Sequence, residues 1–576
     1  MGYDIIFLHP PAIYAFSKKA IFPGPIDNTL LNCTPQFIVP PIGMISMAEY
    51  LKRNGAKVRI VNLGEYMLLS QSFDVEKFIK GNYANVFAID LHWCNHSQGA
   101  IEIAKICKRL HPNSFVVLGG LTASCFALEI LQKFPFIDAV VRGEGEEVIL
   151  KFLNSFKLDN VPNLAYRKDK KIIVNPIELI AQDLDKYEFA VPELLEPGNL
   201  STTGLSPDGK IVKWWGIPIC RGCAYLCHHC GGSSLSYDSL FNRKKIVFRS
   251  PKKIVEDLNK LVERGFKNIF LFQDPRMGGP SYYRSLFKEL REAKLDIDLL
   301  GMELFIPASR DYLELMKGIP LSLSISPESA VEEIRIPHGR HYSNDSLLTT
   351  INICRELKIK LGVFFMVGLG KERPETIQET LLFCEKIYRE DRENRSKEEE
   401  KLFLGPLWCK PEMALLILLD PGSLGFNFPE QAGYKLIFKN FEDYYKGLSL
   451  PSWHYWMSYE TIYMGKEELI EWGLYALEKL FYLQEKYGLY EKGEDRALLN
   501  YERFKIRVNR AIIPLVDKIM KLEKGKEENL LLLRRILDEC LKGMVPDKNE
   551  NYNSIERTYR ESLAKVIREV GGFISI

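Results

Sequence analysis

The sequence is most restrictive in what it lacks. It has no excess of charge of either sign: 77 Lys and Arg stand against 75 Asp and Glu over 576 residues, for a formal net charge of +2. Composition therefore supplies no electrostatic footprint for nucleic acid or for an anionic membrane surface. No apolar run approaches the roughly 20 residues that a membrane-spanning helix needs, and MALLILL at 413–419 has the length of a buried strand. The opening MGYDIIFLHPP has no basic segment ahead of an apolar one, and its sixth residue is Ile rather than Ser or Thr, so neither secretion nor myristoylation is expected. Internal repeats and low-complexity tracts are absent as well. What remains is a chain with 46% hydrophobic residues, long enough for two to four domains with large cores. Outside one short loop its cysteines are scattered, as at Cys33, Cys107, Cys354 and Cys540, which fits a reducing cytoplasm.

That loop is the exception. IPICRGCAYLCHHCGGSS at 217–234 holds four of the 12 cysteines. Cys223, Cys227 and Cys230 stand in a C-x3-C-x2-C spacing, and thiolates are soft ligands suited to iron–sulfur clusters. Three such ligands leave one iron of a [4Fe–4S] cluster open, where a small chelating molecule can bind and receive an electron. Two blander readings stand beside this one. A zinc site would use the Cys and His of CHHC, although structural zinc usually takes two knuckles separated by a longer spacer, and no further closely spaced cysteines lie elsewhere in the chain. A ferredoxin-like carrier would recruit Cys220 as a fourth ligand; Cys220 otherwise reads as a strand-end cysteine closing the apolar run IVKWWGIPIC.

The rest of the chain alternates strand-like and helix-like stretches. Over residues 1–150, YDIIFL, KVRIV, VFAIDL, FVVLGG and DAVVRG read as strands, with helices such as IGMISMAEYLKRNG, SQGAIEIAKICKRL and ALEILQKF between them. This predicts a doubly wound parallel sheet with its ligand at the carboxyl ends of the strands. The loops there are His9-Pro10-Pro11, Asp90 to His96, Leu118-Gly119-Gly120 and Val141 to Glu146. Residues from about 151 to 205 read as a connector with a small hairpin at NLAYRKDKKIIVNP. From 206 to about 430, IVKWWGIP, KNIFLFQD, IDLLGMEL, LSLSIS, KLGVFFMVG and ALLILLD predict six parallel strands in a partial barrel, with Ser250 capping one helix and Pro251 opening it. The charged stretch REDRENRSKEEEK at 389–401 reads as a solvated insertion or helix extension. Beyond 430 the pattern is helical. The aromatic stretch LPSWHYWMSY at 450–459 reads as packing between the helices and their neighbour, or as a channel lined by Trp453, His454, Tyr455 or Tyr459.

The cysteine spacing, followed by Gly231, Gly232 and Ser233, resembles the defining loop of radical S-adenosylmethionine (SAM) enzymes. LGG at 118–120, VRGEGE at 141–146 and PPIGMISMAEYL at 40–51 resemble the cobalamin-binding domain that precedes that loop in one large class of them. The resemblance implies an α/β fold in four parts: a doubly wound, Rossmann-like cobalamin-binding domain over 1–160, a connector over 161–205, a partial (β/α)6 radical SAM barrel over 206–430 and a C-terminal α-helical domain over 431–576. It implies three cofactors: a [4Fe–4S] cluster on Cys223, Cys227 and Cys230, SAM, and cobalamin as methylcobalamin. His229 holds a position that is usually aromatic and packs near adenine. Gln273, Asp274, Glu303, Ser326, Glu328, Arg340, Val367 and Gly368 are implied beside SAM, with Ser326-Pro327-Glu328-Ser329 resembling a fourth-strand phrase of the family. Pro10, Leu91, His92, Trp93, Gly119, Gly120, Arg142, Gly143, Glu144 and Gly145 are implied beside cobalamin.

One departure bears on cobalt. Domains that ligate it with histidine use D-x-H-x-x-G after the first strand, whereas here Asp90-Leu91-His92 follows the third and Asn95 replaces the glycine. His92 is therefore not read as a ligand, and His92 or Trp93 is expected to cover the lower face. The implied activity is methyl transfer to an unactivated carbon through a 5′-deoxyadenosyl radical and methylcobalamin. The alternatives are rearrangement or oxidation without methyl transfer, or a non-enzymatic cobalamin-responsive binding protein with a structural cluster. The implied partners are a reductant such as ferredoxin or flavodoxin and a peptide, protein or small-molecule substrate.

Overall fold

Two eight-stranded sheets carry the chain in the computed structural model, which describes residues 2–27, 38–70, 72–205, 211–394, 409–417, 419–488 and 493–544. The strands of the amino-terminal half are β1 (Tyr3–His9), β2 (Ile26–Asp27), β3 (Val58–Asn62), β4 (Ala84–Asp90), β5 (Phe115–Gly119), β6 (Ala139–Val141), β7 (Leu164–Lys168), β8 (Lys171–Val174) and β9 (Leu195–Glu196). The first sheet runs β8-β7-β6-β5-β4-β1-β3-β9. Both β3 and β4 pair parallel to β1, so the strand order reverses there and the topological switch point falls between the carboxyl ends of β1 and β4, at His9 and Asp90. Helices such as Ile42–Arg53 and Ser97–Leu110 cover the sheet, which is why Ile5, Ile6, Phe7 and Leu8 are all buried rather than alternating.

The second sheet uses β10 (Thr203–Leu205), β11 (Ile211–Pro218), β14 (Asn268–Phe272), β15 (Leu299–Leu304), β16 (Leu321–Glu328), β17 (Lys360–Val367) and β18 (Cys409–Ile417), with β12 (Cys220–Arg221) and β13 (Val247–Phe248) forming a small antiparallel pair beside it. Its order is β10-β11-β14-β15-β16-β17-β18-β2. From β11 to β18 every pairing is parallel, and these are the six strands expected. Among the described residues the two ends of this sheet do not pair with each other, so the barrel is partial. Ser250 accepts the Lys253 N–H at 3.2 Å and Pro251 opens the helix Pro251–Glu263, as its sequence predicts.

The stretch read as a connector does more than connect. Its hairpin β7–β8 extends the first sheet beyond β6, β9 covers the opposite edge and β10 covers the edge of β11. In the reverse direction β2, from the amino-terminal part, pairs parallel to β18. Exposed strand edges are satisfied by chain from the neighbouring unit, so the two sheets are laced together.

In the carboxyl-terminal part, β19 (Tyr434–Leu436) and β20 (Tyr459–Thr461) pair antiparallel before the helices Lys466–Lys486, Gly493–Met520 and Lys526–Met544. The stretch 450–459 packs: Trp453, Trp456 and Tyr459 are fully buried, Trp453 donates its N–H to the Phe22 carbonyl at 3.0 Å, and Asp517 accepts from His454 at 3.1 Å and Tyr455 at 2.5 Å. The charged stretch 389–401 begins on the helix Pro374–Asn394; its remainder, residues 395–401, and residues 545–576 of the helical part lie outside the described residues, as does Cys33.

Beside β13, Arg249 and Asp257 form an ion pair at 2.7 Å with both side chains fully buried, and the guanidinium lies 4.8 Å from the Phe189 ring centre. Asp257→Ala leaves that guanidinium buried and unpaired and is expected to cost about 3–5 kcal/mol, read as a lower urea midpoint. A midpoint equal to that of the unsubstituted protein would show that the pair does not support the fold.

Candidate active site

The cysteine loop leaves β12 at Gly222 and ends at the helix Ser234–Phe241, where the Ser233 hydroxyl accepts the Ser236 N–H. Cys227 is buried and Cys223 and Cys230 are partly so. The Cys230 sulfur accepts the Gly232 N–H at 3.3 Å and the Cys223 sulfur accepts the Tyr225 N–H at 3.4 Å. Cys220 behaves differently: it is buried and its thiol donates to the Gly222 carbonyl at 3.9 Å. The groups of three whose ligand atoms all lie within 4.8 Å of one another, among the described residues, are His9–Asp90–His96 and Glu188–Glu256–Asp257. Cys223, Cys227 and Cys230 are not such a group, so their three sulfurs do not stand together around a single ion such as zinc, whose ligands lie at about 2.3 Å. Burial pushes the Cys227 thiol up to about 11 against the pull of Arg340, so a thiolate there calls for further positive charge, which a metal cluster supplies.

The carboxyl ends of the barrel strands carry backbone strain. The angle φ is 82° at Gln273 after β14, 69° at Glu328 ending β16 and 93° at Gly368 after β17. In non-glycine residues this conformation costs about 1–3 kcal/mol and collects at functional sites. At Glu328 the cause is local: Pro327 has no N–H for the ladder, and the register with β17 shifts between Ile325 and Glu328. Glu328 accepts from Arg340 at 3.0 Å, and both are buried. Glu303 accepts the Gln273 N–H at 2.8 Å, and burial holds its carboxyl above the usual range. Four polar atoms here are buried without a partner: Gln273 Oε1, Glu328 Oε2, Arg340 Nε and His338 Nε2. Ser326 is partly buried on β16 and Val367 fully buried at the end of β17. Asp274 is otherwise engaged, accepting from Arg276 at 2.6 Å and from the Phe305 N–H at 2.8 Å. His229 lies Nδ1 to Nδ1 with His338 at 3.4 Å, and His228 lies 4.9 Å from the His338 ring. Burial holds all three imidazoles below the usual range, His228 at about 4, so they are neutral near pH 7.

Three further groups stand at this end, of which Glu372 and Tyr434 escaped the sequence reading and Tyr459 was read as packing or as lining a channel. Glu372 Oε2 accepts the Gly368 N–H at 2.7 Å, while its Oε1 and the hydroxyls of Tyr434 and Tyr459 are buried without partners. Burial pushes the Glu372 carboxyl up to about 8. Glu372 lies four residues past Gly368, a signal that was available; the tyrosines come from β19 and β20, outside the barrel, and of the two only Tyr459 had a local mark, the aromatic stretch that it closes.

At the switch point of the first sheet, His9 Nδ1 pairs with Asp90 at 2.9 Å and the His92 N–H donates to the other Asp90 oxygen at 3.0 Å. Burial opposes ionisation of Asp90, but the His9 imidazole holds it at about 2. Of the loop after β4, Leu91, Cys94, Asn95 and His96 are buried, whereas His92 and Trp93, edge to face at 4.7 Å, are partly open. Leu91 donates its N–H to the Gly119 carbonyl at 2.8 Å. Gly120, at φ 113°, packs so closely that a Cβ there would stand 2.5 Å from His92 Cα. Pro10 is buried after β1, and Gly145 packs on Met47. Arg142 turns to the hairpin side, donating to the Asn175 carbonyl at 3.2 Å. Gly143 is held at φ 78°, and Glu144 is paired with Arg221 and Arg243.

The two rims meet. Gly231 donates its N–H to Asp420 at 2.9 Å, and a Cβ on Gly231 would lie 2.9 Å from Leu121, the residue after Gly120.

Comparison with known proteins matches this two-part site. The model of the radical SAM superfamily matches residues 217–384, and that of the B12 binding domain matches residues 29–153. The chain carries a radical SAM domain and a B12-binding domain. Among curated relatives it is 26% identical over 372 residues to the anaerobic magnesium-protoporphyrin IX monomethyl ester cyclase of Rubrivivax gelatinosus, covering 59% of this chain and 61% of that one. It is 25% identical over 240 residues to the hopanoid C-3 methylase of Methylococcus capsulatus, covering 41% and 42%. The chain spans about half the length of the curated relatives it matches, 46% in the case of the cyclase of Cereibacter sphaeroides. Its fold is similar to the radical S-adenosylmethionine methyltransferase TsrM from Kitasatospora setae, at TM-score 0.56 and 13% identity over 89% of this chain and 99% of that one. It is similar also to the cobalamin-dependent S-adenosylmethionine radical enzyme OxsB, at TM-score 0.56 and 14% identity over 100% and 84%.

The cofactors of such a protein are a [4Fe–4S] cluster with SAM, and cobalamin. The residues fit them. Cys223, Cys227 and Cys230 would hold the cluster, leaving Cys220 aside. The unpartnered atoms of Gln273, Glu328 and Arg340 would meet the amino and carboxylate groups of SAM, and the cleft opened by His92, Trp93, Gly119 and Gly120 lies where a doubly wound sheet takes its ligand. The radical SAM protein should therefore be sensitive at Gly120: Gly120→Ala adds strain of about 1–3 kcal/mol and presses on the His92 backbone. The expected outcome is weaker hydroxocobalamin binding, by absorbance titration, with the iron content of the reconstituted protein unchanged. Unchanged affinity would place the cleft elsewhere.

Proposed function

We propose that this radical SAM protein transfers a methyl group from methylcobalamin to an unactivated carbon. The observation that carries the reading is the contact of Gly231 with Leu121, which puts the cysteine loop and the rim of the B12-binding sheet side by side. When bound, SAM on the reduced cluster supplies a 5′-deoxyadenosyl radical able to remove hydrogen from such a carbon, and methylcobalamin supplies the methyl group. The chain's own work is positioning and exclusion of water. The Glu328–Arg340 pair and Gln273 present buried polar atoms to SAM, and Glu372 steadies the backbone at Gly368 and Leu369 through two N–H bonds. His92 and Trp93, partly open after β4, would stand beside cobalamin, one or the other as its cover. Phe126, packed against Phe426, Phe441 and Tyr444, shields the side where the two sheets meet. No side chain need act as a general base.

The reductant is a small electron carrier such as ferredoxin or flavodoxin. The compartment is a reducing cytoplasm, with which the nine cysteines that are free among the described residues agree; no described helix is long and apolar enough to cross a membrane. The substrate is a peptide, protein or small molecule. A second reading, oxidation or ring closure without methyl transfer, is favoured by the cyclase relatives. Methyl-labelled SAM with a chemical reductant separates the two. Label in a product together with 5′-deoxyadenosine supports transfer, whereas deoxyadenosine with an unlabelled, oxidised product supports the second reading. Cys227→Ala is expected to abolish deoxyadenosine formation entirely while hydroxocobalamin still binds; persistence of SAM cleavage would overturn the cluster assignment.

A further inference from the structure

Four charges are buried between the two cofactor loops. Glu144 lies 2.7 Å from Arg221 and 2.5 Å from Arg243, and Glu146 lies 2.6 Å from Arg221. The carboxylate side chains are 5% and 4% exposed and the guanidiniums 18% and 1%. Glu144 sits on the loop after β6, and Glu146 opens the helix Glu146–Ser155 that follows it. Arg221 is the last residue of β12, directly before Gly222 and Cys223, and Arg243 follows the helix that closes the cysteine loop. The group is finished by backbone, since Glu144 accepts the Ala181 N–H at 3.0 Å and Arg243 donates to the Ala181 carbonyl at 2.6 Å.

A hydrogen-bonded path continues the other way. Gly143 donates its N–H to the Ser124 hydroxyl at 3.0 Å, and that hydroxyl donates to the Gly120 carbonyl at 2.7 Å. Gly120 in turn packs on His92. The open rim of the B12-binding sheet is thus tied, bond by bond, to both ends of the cysteine loop. Holding two sheets together does not require ions, because an apolar contact of similar volume serves at least as well. What the fork of Arg221 on Glu146, at 2.6 and 3.3 Å, adds is register, since a two-pronged guanidinium–carboxylate bond tolerates little displacement.

We propose that Glu144 and Glu146 are positioning residues that clamp both ends of the cysteine loop to the B12-binding sheet, so that loop and cleft keep one register. The proposal rests on the reading of loop and cleft as the two cofactor sites, but its first test does not. Hydrogen exchange is measured on the cofactor-free full chain for Glu146→Gln and Arg221→Gln. Exchange is expected to quicken across residues 222–232 and to stay unchanged in β4 and β14, with Arg221→Lys, which keeps the charge, recovering part of the protection. In a second arm hydroxocobalamin is added: it is expected to slow exchange across 222–232 in the unsubstituted protein and to lose that effect in Glu146→Gln, although cobalt binds stoichiometrically in both.

Unchanged loop exchange in both glutamine variants would overturn the clamp. So would faster exchange throughout the chain, which would make the four charges a general support of the fold. Failure of hydroxocobalamin to bind the unsubstituted protein would overturn the reading of the cleft, and the first arm would still decide whether the loop is clamped.

Discussion

A carboxylate taken out of water must be met by charge or by hydrogen bonds, and Glu144 is met by both. Burial opposes its ionisation, and the guanidiniums of Arg221 and Arg243 reverse that and hold its carboxyl below the usual range. The arrangement is possible only if three segments arrive together: the loop after β6, the end of β12 and the turn after the helix Ser234–Phe241. Much of the molecule is consistent with that demand. The strand β2 crosses to the far edge of the barrel, the hairpin β7–β8 stays on the first sheet, and the Phe126 cluster fills the space beside the junction.

The consequence for chemistry is a seam of paired charge with open ends on both sides. Parallel sheets direct their ligands to the carboxyl ends of strands, and here two such ends face each other across Gly231 and Leu121. Along the barrel rim, positive φ at Gln273, Glu328 and Gly368, together with polar atoms that have no partner in the chain, describes a surface finished by something other than protein. The neutral imidazoles of His228, His229 and His338 add polar groups without adding charge beside the cysteines, which suits a site whose metal and ligand bring charge of their own.

The legibility of the sequence followed the range of the physics involved. Strands buried on both faces announce themselves as apolar runs, so the five parallel strands of the first domain and the six of the barrel were visible in the chain alone. Candidate metal ligands on one loop announce themselves by spacing, as Cys223, Cys227 and Cys230 do. Residues at strand ends were visible as positions but not as roles. Gln273, Glu303, Glu328 and Arg340 do come together, whereas Asp274 is taken up by Arg276 two residues on and Arg142 turns to the hairpin. The acidic residues of VRGEGE suggested a face toward cobalamin, because their partners Arg221 and Arg243 lie 77 and 99 residues from Glu144. Tyr434 had no signal at all, and Tyr459 was visible only as one aromatic in the dense stretch 450–459.

By itself, then, the sequence determined the kinds of element, the candidate thiols for a cluster and the two families of loop, since each depends on neighbours within a few residues: alternation along a strand, periodicity along a helix, thiols on one turn. Only the tertiary structure decided which polar groups are spent and which are left open. That question turns on desolvation, and whether a buried carboxylate or hydroxyl is met depends on side chains delivered from distant parts of the chain, as Glu144 is by Arg243 and as Glu328 Oε2 is not.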